Sequence, residues 1–72
     1  MSIVTIYMPL LNEGTDVWAP VKALRLNDGR YRVLGPSPKD QEWTFAPGAI
    51  VRSQRQTLGD DFQGVVAIAA DS

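Results

Sequence analysis

Short clusters of turn-forming residues cut this chain into strand-sized pieces: Asn12-Glu13-Gly14-Thr15, Asn27-Asp28-Gly29-Arg30, Ala46-Pro47-Gly48 and Leu58-Gly59-Asp60-Asp61. The runs between them are rich in β-branched and aromatic residues, the pattern of short strands joined by tight turns. Residues 2–11 read as a first strand, with Ile3, Thr5 and Tyr7 on one face and Val4, Ile6 and Met8 on the other. Pro9 cannot donate to a ladder and marks the end or edge of that strand. The Asn-Glu-Gly-Thr loop predicts a short hairpin with a bulge, and Asp28-Gly29 predicts a two-residue turn of primed geometry.

Between those turns, residues 16–26 form the second strand. Val17, Ala19, Val21 and Ala23 share one face of it, and Trp18, Lys22 and Leu24 share the other. Residues 30–34 supply a third strand, and the polar loop 35–42 is stiffened by Pro36 and Pro38. Residues 43–45 read as a short strand, 49–57 as a longer one and 62–70 as the last. Gly64 inside the last run suggests a bulge or a tight corner. Pro20 lacks an N–H, so the second strand bends there and Pro20 belongs at a bulge or on an unpaired side.

Five or six such strands, with no substantial helix, predict an all-β fold, a small antiparallel barrel formed by residues 1–72 as one domain with an ordered core over about 3–70. Closure also protects the apolar edge that residues 65–70 would otherwise present. Ile6, Val17, Val21, Val33, Phe45, Val51, Val66 and Ile68 are the expected interior, subject to strand parity.

With 72 residues, the domain buries only about 60% of its extended-chain surface, so the core is thin. Its 44% hydrophobic and 21% charged content places it among globular chains. The chain has neither cysteine nor histidine. Disulfides, zinc sites of the usual kind, Ser-His-Asp or Cys-His catalysis and imidazole proton shuttles are therefore outside its means. The expected location is cytoplasmic, and the N-terminal run reads as neither a signal peptide nor a membrane span.

Exposed carboxylates in turns lack the burial that tunes a catalytic pKa, and no calcium loop or phosphate-cradling motif is present. The expectation is a non-enzyme without cofactor or metal.

The net charge of −1 predicts no general pull toward nucleic acid or anionic lipid. The charges are nevertheless segregated. Lys22, Arg25, Arg30, Arg32, Arg52 and Arg55 fall on strand-like stretches, whereas Glu13, Asp16, Asp28, Asp60, Asp61 and Asp71 fall in turns or at the tail.

Trp18 has two readings: an indole covering one mouth of the core beside a proline bend, or part of a binding ledge with Tyr31, Trp43 and Pro47. The first is favoured, because aromatics in a domain this small are mostly core. Lys22, Arg25, Arg30 and Arg32 likewise read as a solvated face or as a phosphate-binding one, and their even spacing favours the former.

The segments "LLNEGTDVWAPVKA" and "WTFAPGAIVR", in that order, resemble a family of small uncharacterised bacterial proteins. Its pattern joins an acidic-Gly-Thr-x-Val-Trp turn and strand to Phe-x-Pro-Gly-x-x-Val. The resemblance spans residues 3 to about 55. Ala19 departs from it, standing where that family often carries arginine. It implies a barrel of the Src-homology-3-like class and brings no activity with it.

The expected function is a protein-interaction module that binds another protein or peptide through Trp18, Tyr31 and Trp43. The alternative is weak RNA or single-stranded DNA binding through Lys22, Arg25, Arg30 and Arg32, and a third reading is self-association through residues 65–70. No membrane partner is expected, and the sequence leaves the oligomeric state open.

Overall fold

Strands β1 (Ile3–Pro9) and β2 (Trp18–Arg25) pair antiparallel from Ile3↔Leu24 to Pro9↔Trp18 without a break. This computed structural model describes residues 2–12, 17–59 and 63–70. Strand β3 (Tyr31–Val33) continues from β2, followed by β4 (Ile50–Thr57) and β5 (Gln63–Ala69), and the five close into a barrel in chain order. A meander of five alternating strands must close on a parallel pair, because its first and last strands point the same way. That seam is β1 against β5, with Tyr7 opposite Val66. No helix occurs among the described residues.

The interior is built from one face of each strand. Ile6 and Met8 on β1, Val21 and Ala23 on β2, Val33, Val51 and Ala67 form a buried cluster. Each larger aliphatic side chain withdrawn here contributes about 1.5–3 kcal/mol. Ala23 and Ala67 are fully buried within this cluster, so a larger side chain at either position would overpack the core.

Five of the eight expected interior residues, Ile6, Val21, Val33, Val51 and Val66, are buried, whereas Val17, Phe45 and Ile68 are half-buried. On β5 the expected parity is off by one. Val51, which lies inside, pairs with Ala69, and Ser53 pairs with Ala67. The inward row is therefore Val65, Ala67 and Ala69. Val66 is buried on the outward side, outside the main cluster, opposite Tyr7.

Three further expectations are corrected. Residues 43–45 are not a strand: Trp43 makes an isolated bridge to Leu10, and Thr44 donates through its amide and its Oγ1 to the Pro9 carbonyl. The hairpin at Asp28-Gly29 has three loop residues, since the Leu26 amide donates to the Arg30 carbonyl at 2.8 Å. Gly29 has φ +83° but Asp28 does not take positive φ, so the primed turn gives way to a turn with a left-handed third residue.

Neither Pro20 nor Gly64 makes a bulge, because both registers run through them unbroken. Pro20 belongs to a non-hydrogen-bonded pair with Tyr7, so its missing N–H faces away from β1. Gly64 is required by close approach: a Cβ there would lie 2.7 Å from Leu58 Cδ1 and 2.9 Å from Tyr7 Cδ2. The expected loop at 13–15 and the acidic residues Glu13, Asp16, Asp60, Asp61 and Asp71 lie outside the described residues, although Asn12 enters that loop with φ +61°.

Candidate functional site

The geometry of the site follows from the shortness of β3. It pairs with Ala23, Leu24 and Arg25 of β2 only. One more bond runs from the Leu34 amide to the Lys22 carbonyl at 3.0 Å, and the chain then departs through Gly35. Among the described residues, the first half of β2 has β1 on one edge and no strand on the other. Pro36 and Pro38 of the loop that follows β3 line the same groove as Pro20 and Lys22 at that edge.

A groove of ≈ 350 Å³ results, walled by Pro20, Lys22, Leu34, Pro36, Pro38 and Trp43, with Gln41 at its rim. That volume lies at the small end of ligand sites.

Its walls are fixed by contacts that the sequence places far apart. Gly35 sits so close to the Pro47 ring that a Cβ would lie 2.7 Å from it. Pro47 in turn belongs to the turn closed by the Ala49 amide on the Ala46 carbonyl at 3.0 Å, with Gly48 at φ +91°. Proline followed by a glycine of positive φ is what a type II turn demands. Trp43 packs against the core and donates its indole N–H to Gln41 Oε1 at 3.0 Å.

The sequence-derived site residues divide accordingly. Trp43 and Lys22 line the groove. Trp18 does not; it is half-buried on the outward face of β2, opposite Pro9, and lies outside the core cluster. Of the two tryptophans, Trp43 and not Trp18 packs against the core cluster. Tyr31 packs onto the core from β3, opposite Arg25 and Val51. The three aromatics do not share one surface.

The basic residues separate as well. Lys22 reaches across to Thr5, donating from Nζ to Oγ1 at 3.2 Å. Arg25 and Arg32 are exposed. Arg30 is held within its own turn, where its guanidinium contacts Asp28 Oδ2 at 2.6 Å. Displacement of water beside this turn pushes the Asp28 carboxyl upward, but the hydrogen bonds from the Arg30 side chain and amide and its positive charge outweigh that and hold it below its ordinary value.

Pro20, Leu34, Pro36 and Pro38 are the wall residues that sequence reasoning had not grouped into a site. A polar loop dense in proline, beside a strand that itself contains proline, was the available signal. Among the described residues, no group of three or more metal-ligating side chains occurs, and no helix is long and apolar enough to cross a membrane. No protein-family model, curated protein or solved structure matches this chain.

Proposed function

We propose that this chain is a non-catalytic interaction module, a small barrel of Src-homology-3-like type, that holds a short segment of another protein in the groove beside β2. The observation that supports this reading is an open strand edge walled by three prolines and a tryptophan, with the loop start at Gly35 close against the Pro47 ring. Prolines fix their own φ, so a wall rich in them has less conformational freedom to lose on binding.

Selection of a random peptide library on the immobilised protein tests it. Enriched peptides should shift the amides of Lys22, Leu34 and Gln41 and the Trp43 indole in NMR titrations. Enriched peptides that leave these signals in place would refute the assignment.

A second reading rests on the charges. The five strands carry Lys22, Arg25, Arg32, Arg52 and Arg55 and no carboxylate. Arg32 is paired with Leu24 and Ile50, so Lys22, Arg32 and Arg52 run diagonally over β2, β3 and β4. Such a face suits the backbone of RNA or single-stranded DNA. Its affinity should fall steeply between low and moderate salt as counterions are released. A salt-independent affinity would eliminate it.

A further inference from the structure

The backbone groups at the open edge specify what kind of peptide the groove accepts. The Arg25 amide bonds to Ser2 and the Leu10 amide to the Val17 carbonyl, so odd residues of β2 face β1 and even residues face the other way. Lys22 and Pro20 therefore present their backbone to the groove. The Lys22 carbonyl is occupied by Leu34, but no described residue accepts from the Lys22 N–H. None donates to the Pro20 carbonyl, and Pro20 has no N–H to offer. One donor and one acceptor remain, flanking Val21.

We infer that the groove binds an extended, non-proline peptide as an added strand on β2, with one ligand residue opposite Val21 and a carboxylate beside Lys22. This rests on the protein-interaction reading above and names the ligand class. In a parallel pair, a single residue gives its N–H to one neighbour of the residue it faces and takes a bond from the other. Opposite Val21 those partners are the Pro20 carbonyl and the Lys22 N–H, the two groups left over.

The adjacent ligand side chains then fall on the outward face, beside Lys22. Among the described residues, Lys22 is the one charged residue lining the groove, and its Nζ is bonded only to a neutral hydroxyl. A carboxylate complements it. A polyproline ligand does not fit these groups. Its carbonyls could accept from the Lys22 N–H, but it has no N–H to give the Pro20 carbonyl, and the Trp43 indole N–H is already given to Gln41.

Three pools of acetylated heptapeptides test the inference on the isotope-labelled protein. The first is randomised without proline around a central glutamate, the second is the same pool with every backbone nitrogen methylated, and the third is a Pro-x-x-Pro pool. The expected result is that the first pool shifts the Lys22 amide and slows its hydrogen exchange, while methylation weakens binding by about tenfold or more. Lys22→Glu should weaken the first pool comparably without disturbing the fold, since that side chain is exposed.

Groove binding by the Pro-x-x-Pro pool alone would overturn the added-strand inference and leave the interaction module standing. Equal binding of the methylated and unmethylated pools would overturn it too. If no pool moves the groove signals, both readings fall.

Discussion

At the scale of single residues, Gly64 shows how a small domain uses the absence of a side chain. It is buried in β5 at the parallel seam, with the Tyr7 ring and Leu58 drawn over it. Leu58 can swing aside for an added methyl, but the Tyr7 ring lies on the same face and must move with it. Gly64→Ala should cost about 1–3 kcal/mol, the usual penalty for overpacking. Gly59→Ala is the matched control, since a Cβ there meets nothing within 4 Å. It should stay within about 0.5 kcal/mol of the parent in urea unfolding. Equal effects at the two glycines would show that Tyr7 does not pack on β5 in solution.

The β2–β3 hairpin is the element whose behaviour depends on pH. Asp28 accepts from the Arg30 amide and side chain, and its carboxyl is held below the ordinary 3.8. A carboxyl with a depressed folded-state pKa binds protons more readily when unfolded. The stabilisation is therefore complete above the ordinary value and is lost as pH falls through the folded one. Both groups are substantially exposed, so the effect is small and local. NMR titration should place the Asp28 midpoint below that of Asp28 in an unfolded peptide, and Arg30→Gln should narrow the difference while the backbone amide bond keeps part of it. An unchanged midpoint in Arg30→Gln would show that the ion pair does not form.

This hairpin also shows where sequence reasoning stops. Asp-Gly announced a reversal at the right place, but loop length depends on which residues resume pairing, and Leu26 closes on Arg30. Alternation likewise located the inward face of β2, where polar Lys22 contrasts with Val21 and Ala23. It gave no guide on β5, whose run from Gly64 to Ala70 is apolar on both faces. There the register with β4 decides. Residues 43–45 have strand-like composition, yet their partners are the tail of β1 and the core cluster. Trp43 and Lys22 were legible as site candidates because their chemistry is intrinsic. The groove was not, because it exists only where β3 ends, and that is a property of the whole ladder.

Across the whole molecule, pairing is uneven. The β1–β2 and β4–β5 registers each hold seven residue pairs, whereas β3 contributes three pairs to β2 and two to β4. Local opening should follow that distribution. Native-state hydrogen exchange is expected to find the slowest amides on Ile6, Val21 and Ala67, and faster exchange throughout β3. Uniform protection would mean that the barrel opens only as a unit. A yielding β3 would let the groove wall from Leu34 to Pro38 adjust to a ligand while the two long hairpins stay closed.

The odd number of strands has a mechanical consequence. Because β1 and β5 run the same way, the barrel is entered at one pole, through Ile3, and left at the other, through Ala69. Tension applied between these two residues pulls the seam lengthwise, loading its bonds together. Tension applied across a hairpin such as β4–β5 would part its bonds one after another, like a zip. Along its own chain, this domain transmits load as a sheared joint.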